Sequence, residues 1–153
     1  MKGYAYLFSL FISVITYAQA PPPAALPNDK QVVLIEKFVE VSHYEKSLKQ
    51  FGMNYMHSKM FRYANGENCR VLSKAQAEEI LKKFDFDSFK KSSIYNAFAF
   101  VSEDNLKKLI DFFSSVDGKV DPFGELFISS NIVTGNFTGY LNKEIEKIQN
   151  NTK

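Results

Sequence analysis

Apolar residues return every three to four positions along most of the chain, and Lys, Glu, Asn and Ser fill the positions between them. That spacing is the period of a helix buried on one face. The clearest instance is 102–118. Leu106, Leu109, Ile110 and Phe113 fall at i, i+3, i+4 and i+7, while Lys107, Lys108 and Asp111 lie off that face. Ser102 stands where an N-cap oxygen accepts from a first-turn N–H. Glu103 and Asp104 place negative charge at the positive end of the helix dipole. Gly118 supplies a left-handed closing residue, and Pro122 discourages continuation.

The same reading extends in both directions. Asn28 or Asp29 caps a first helix carrying Val32, Ile35, Phe38 and Val39. Ser42 and Glu45 have capping-box spacing, so a second helix is expected from there to about Arg62, with Tyr44, Leu48, Phe51, Tyr55, Met56 and Met60 as its apolar set. Gly52 lies inside it; it costs ~1 kcal/mol against Ala unless it admits a close neighbour. Asn65-Gly66 marks a turn, and without alternating flanks it reads as a helix-to-helix loop. Ser73 and Gln76 form another capping box before Ala77, Ile80, Leu81 and Phe84. Asp85 or Asp87 caps the next helix, with Phe86, Phe89, Ile94, Tyr95 and Phe98 as its apolar residues. Beyond Gly118, Asp121-Pro122 is a helix start. Phe123, Leu126, Phe127, Phe137, Leu141, Ile145 and Ile148 then share a broad face to about Gln149; β-branched Ile128, Ile132 and Val133 with Gly135 and Gly139 weaken its middle, which leaves open whether the helix is continuous or breaks near Gly135. Gly135 and Gly139 have the spacing of a close helix contact. Residues 150–153 should fray.

Six helical segments with short links predict an all-α fold, a small bundle or orthogonal array of about six helices. The first twenty residues differ from the rest. Lys2, an apolar run from Tyr4 to Thr16, and Ala18-Gln19-Ala20 have the form of a cleavable signal peptide over 1–20. The run is shorter than the ~20 residues of a spanning helix, and no later stretch is long and apolar enough to span. Residues 21–28 are Pro-rich and read as an extended spacer. The single helical domain is placed at 29–149, and the protein is expected to be exported, periplasmic or extracellular.

Composition narrows the possible activities. Removing Lys2 lowers the formal charge from +2 to +1, which provides no electrostatic case for binding nucleic acid. The chain has 15 Phe and no Trp, so aromatic packing should build the core. With one cysteine, Cys69, there is no internal disulfide, and the thiol reads as a partly buried spectator.

The segment Phe98 to Lys119 is similar to the signature of the bacterial secreted family called domain of unknown function 2059. That signature has an aromatic, then Phe-Thr/Ser-Glu-Glu-Glu-Leu, then a Leu-Ile-x-Phe-Tyr-x-Ser-Pro-x-Gly-Lys/Gln run. Here Val101 stands at the Phe before the Thr/Ser, Phe113 replaces the Tyr, and Val116 replaces the Pro. Val41 to Leu48 resembles the family's first helix-turn-helix, and the order of elements from about Val32 to Gly118 agrees. Past Pro122 only helical character is shared. The resemblance implies an exported, all-helical bacterial protein and brings no catalytic residues with it.

Catalytic and metal chemistry finds little footing. His43 and His57 on one helix would stand roughly 21 Å apart, too far to share an ion. A dyad of Cys69 with His57 would require a fold-back across the Asn-Gly turn. Asp85-Phe86-Asp87 opens like a calcium loop, but Lys90 occupies the position of the required Gly. Glu78 to Lys82 and Glu79 to Lys83 have the stabilising i, i+4 spacing. No cofactor, metal or catalytic residue is assigned. The expected function is a non-enzymatic protein- or peptide-interaction module; the alternative is a carrier of a lipid or other apolar ligand held between helices. The contact residues expected from the sequence are Tyr55, Met56, Met60, Phe61 and Tyr63, because adaptable Met and aromatic side chains suit varied partners.

Overall fold

The computed structural model describes residues 26–64, 66–116 and 130–150. The signal peptide expected over 1–20 and most of the Pro-rich stretch lie outside the described residues. So do Gly118, the Asp121-Pro122 start with Phe123, Leu126 and Phe127, and residues 151–153. The described residues are mostly helical, with one small antiparallel hairpin. We label the elements α1 (Asp29–Val41), α2 (Tyr44–Ser58), β1 (Phe61–Ala64), β2 (Glu67–Arg70), α3 (Lys74–Lys83), α4 (86–98), α5 (Glu103–Ser115) and α6 (Asn131–Asn150). The expected helical array is therefore present.

Local chemistry sets most of the helix starts. Asn28 caps α1 and forms a reciprocal box with Gln31. Ser73 does the same with Gln76 at α3. Asp85, not Asp87, caps α4, accepting from the Ser88 N–H and hydroxyl; those bonds hold its carboxyl below the usual carboxylate range. Ser102 caps α5 through the Asn105 N–H. Along α3, Glu79 pairs with Lys83 at 3.2 Å, whereas Glu78 turns back to Lys74 at 3.8 Å.

The box expected at Ser42 does not form. Ser42 closes α1 instead, donating its N–H to Phe38 O, and His43 takes the left-handed conformation at φ 50° without a side-chain cap. The link between α1 and α2 is too short for Ser42 to serve both helices, so the turn is made by backbone.

Helix α4 carries a π turn at Lys90–Ile94 between the α-helical turns Phe86–Phe89 and Tyr95–Phe98. Its buried positions explain it. Phe89 to Ser93 and Ile94 to Phe98 are each four-residue steps, but both Ser93 and Ile94 must face inward. One inserted residue resets the register between two buried stretches. The two halves of α4 then serve two aromatic clusters. Phe98 joins Phe38 and Tyr44, with Phe113 of α5 against Phe38 at 5.7 Å. Phe89 joins Phe84 of α3 and Phe137 of α6, with Phe51 and Tyr140 at the edge. Among the described residues the hydroxyl of buried Tyr44 finds no partner, and desolvation raises its pKa far above the ordinary phenol value.

Helix α6 runs unbroken through Gly135 and Gly139, the stretch whose continuity the sequence leaves open. Val133, Phe137, Leu141 and Ile145 are buried at successive i+4 steps and pack the helix against α2 and α4. Thr134 and Thr138 donate their hydroxyls back to Ser130 O and Thr134 O. The two glycines make no close contact: a Cβ at either would meet nothing within 4 Å among the described residues. Gly135→Ala and Gly139→Ala should therefore each stabilise the protein by up to ~1 kcal/mol. Denaturant titration of the single and double variants checks this.

Candidate functional site

The chain from Met60 to Leu72 departs from the helical reading. Helix α2 ends at Ser58, short of Arg62, and the chain forms a hairpin with register Phe61↔Arg70, Arg62↔Cys69, Tyr63↔Asn68 and Ala64↔Glu67. Gly66 at φ 85° supplies the positive dihedral that a two-residue hairpin loop demands. The Asn-Gly signal was thus a hairpin signal. No alternation flanked it because Phe61, Arg62 and Tyr63 on β1 and all four residues of β2 are exposed, so neither strand has a buried face to mark with a period of two.

Two buried residues moor the hairpin. Met60 and Leu72 sit in the core at its base, and Val71 N–H donates to Met60 O at 2.8 Å. Beyond that pair the strands stand in solvent. Phe61 and Tyr63 lie two residues apart on one face, 51% and 72% exposed. Arg70 and Asn68 stand opposite them, with the Arg70 guanidinium 5.3 Å from the Phe61 ring centre. The other face carries Arg62 beside Cys69. Cys69 is exposed, not partly buried as expected, because no element among the described residues covers β2.

The five residues expected to make contacts therefore divide three ways. Phe61 and Tyr63 are presented together on the hairpin. Met56 and Met60 belong to the core. Tyr55 is half-buried and ties α2 to α6: its hydroxyl donates to Asn142 Oδ1 at 2.9 Å, and Lys59 Nζ stands 5.5 Å from its ring centre.

A second constellation escaped the sequence reading. Lys90 Nζ of α4 pairs with Glu36 Oε2 of α1 at 2.8 Å and lies 3.4 Å from Asp87. The Tyr95 hydroxyl donates to the other Glu36 oxygen. Lys90 and Tyr95 are five residues apart, and the π turn aligns them on one line so that both reach the same carboxylate. Its signal in the sequence was the five-residue step from Phe89 to Ile94, which no regular α-helix carries on one face. Burial raises the Glu36 pKa, but the Lys90 and Tyr95 hydrogen bonds and the Lys90 and Lys91 charges outweigh it, and the net shift is downward. Lys90, its side chain 13% exposed, is shifted upward chiefly by its hydrogen bond to Glu36. This is a clasp between α1 and α4. A carboxylate with a depressed folded pKa stabilises above its unfolded value and loses that contribution as pH falls through the folded value. The stabilisation from Glu36 should therefore fade as pH drops below 4.5. Glu36→Gln should be less stable than wild type at neutral pH and show a shallower loss on acidification, read by denaturant unfolding at a series of pH values.

An open cleft of about 470 Å³ lies along α2, lined by Glu45, Lys46, Lys49, Gln50, Met53 and Leu81. The Glu45–Lys49 ion pair closes at 2.6 Å on its rim, while Met53, Leu81 and the side-chain stems leave most of its lining apolar. His57 lies on α2 and Cys69 on β2, with no hydrogen bond between them. Among the described residues, no three His, Cys, Asp or Glu side chains converge on a point, and no helix is long and apolar enough to cross a membrane. Comparison of the chain with protein-family models, curated proteins and solved structures finds no match.

Proposed function

We propose that the protein is an exported, non-enzymatic domain that binds another protein or a peptide through its hairpin. The observation that carries this reading is the exposure of Phe61 and Tyr63 side by side on a hairpin that the core does not need for covering. Large aromatics at low entropic cost are typical contact anchors. The core itself is filled by interlocking rings from Phe38 to Tyr140, which suits a rigid support better than a ligand container. Export rests on the signal-like N-terminus and on the resemblance of residues 98–119 to domain of unknown function 2059.

The test is a paired substitution. Phe61→Ser with Tyr63→Ser should leave helicity and thermal midpoint nearly unchanged, because exposed substitutions usually shift stability by within about 0.5 kcal/mol. The same variant should lose partner retention when immobilised. Phe100→Ser removes an aromatic that is 73% exposed in the α4–α5 link and should retain the partner. Equal loss from both variants, or unfolding of the double variant, would contradict the reading. Native mass spectrometry of the protein purified after export should show the bare chain or its complexes. A reproducible apolar small-molecule adduct would instead mark a carrier.

A further inference from the structure

Among the described residues the hairpin is a two-stranded sheet with both edges open, and the register shows which backbone groups face outward. The Val71 N–H to Met60 O bond makes Met60 and Val71 a hydrogen-bonded pair. Bonded and non-bonded pairs alternate along an antiparallel ladder. Arg62↔Cys69 and Ala64↔Glu67 are therefore bonded pairs, and Phe61↔Arg70 and Tyr63↔Asn68 are not. The N–H and C=O of Phe61 and Tyr63 consequently point away from β2, along the free edge of β1. No helix or third strand pairs with that edge among the described residues.

Side chains along this edge alternate in character. Phe61 and Tyr63 are on one face, and Arg62 is on the other. Arg62 is the charge on β1 itself; Glu67 shares its face but lies one strand farther from the edge, and Arg70 stands on the ring face. A strand laid antiparallel or parallel to β1 would set every second residue against the two rings and the intervening residues beside Arg62. Natural proteins blunt an edge with short length, a charge, a bulge, a proline or a cover, and β1 has the first two in its four residues and Arg62. β1 has no proline, and its register with β2 is regular, without a bulge.

We propose that β1 is a strand-addition site, and that its partner is an extended peptide segment alternating acidic with β-branched or aromatic residues. Backbone bonds to Phe61 and Tyr63 supply the affinity. Acidic side chains on the Arg62 face and apolar ones on the ring face set the register. This rests on the hairpin being the contact surface and adds the mode and chemistry of the partner.

The probe is the peptide Ac-EVEVEVEV-NH2 at millimolar concentration, with amide exchange of the purified protein followed by NMR. The expected result is slowing of exchange at the Phe61 and Tyr63 amides, by about tenfold or more at saturation, with the Asn68 and Arg70 amides unchanged. A copy of the peptide N-methylated at alternate positions, so that it cannot complete the ladder, should give no slowing. Arg62→Glu should weaken the acidic peptide and favour Ac-KVKVKVKV-NH2, while leaving the fold intact. Unprotected Phe61 and Tyr63 amides would overturn the proposal. So would protection confined to the β2 edge, equal binding of the methylated peptide, or protection that rises with protein concentration alone, which would mean a second copy occupies the edge. If these results fail while the Phe61 and Tyr63 side chains are still required for partner retention, the strand mode is wrong and the contact surface stands.

Discussion

Phe137→Ala should cost about 3–5 kcal/mol, the largest loss expected from any single truncation in α6. Phe137 is fully buried. Its ring lies 4.8 Å from Phe84, 5.6 Å from Phe89, 6.4 Å from Phe51 and 6.4 Å from Tyr140 between centroids. These partners come from α2, α4, α6 itself and the end of α3, so one side chain joins four parts of the array. Removing it deletes transferred apolar area and leaves a void bordered by rings that cannot collapse inward without breaking their own contacts. A loss of that size in a domain of this length lowers the thermal midpoint by roughly 12 °C or more. Thermal and denaturant unfolding of the variant check it. A loss below about 1.5 kcal/mol would mean that the cluster repacks and that Phe137 is not its centre.

Gly52→Ala should also destabilise, by about 1–3 kcal/mol, and here the sign carries the information. At an ordinary helical position the same change stabilises by ~1 kcal/mol, as expected at Gly135 and Gly139. At Gly52 the added Cβ would lie 2.8 Å from Phe137 Cε1, 2.9 Å from its Cζ and 3.0 Å from Leu81 Cδ2. Real Cβ atoms do not come so close, and the ring is wedged between others, so α2 and α6 must separate. The two effects are coupled. Phe137→Leu withdraws the ring edge, so Gly52→Ala should cost less in that background than alone, and a double-mutant cycle measures the difference. Additive effects would place the strain elsewhere.

Gly52 also shows what the sequence could convey. A glycine amid Leu48, Phe51 and Met56 is an anomaly in a helix, and close approach of a neighbour was one of its two readings. Helix faces were legible because each buries one stripe: Leu106 and Phe113 on α5 and Ile80 and Leu81 on α3 are core as spaced. Caps at Ser73 and Ser102 were legible because the capping residue and its target are three apart. The box at Ser42 misled, since the same residues also fit a tight link in which Ser42 ends α1. The hairpin was not legible as strands, because exposed strands need no alternation. Only the Asn-Gly pair betrayed it. The five-residue step from Phe89 to Ile94 marked the π turn, but the pairing of Lys90 and Tyr95 with Glu36 was not legible locally, since it joins positions 54 and 59 residues apart. Of the expected contact residues, Met56 and Met60 share the helical spacing of the α2 core set and pack as core. Phe61 and Tyr63, at a spacing of two, do not fit a helix face, and that misfit was the local sign of their exposure.

The central claim is that the hairpin is where this domain meets its partner. Placing a photo-crosslinking amino acid at Tyr63, with Lys107 on the exposed face of α5 as the control position, tests it directly in cells that make the protein. The expected result is a discrete protein adduct from position 63 that disappears when Phe61→Ser is added, and none from position 107. No adduct at 63, or the same adducts from both positions, would contradict it.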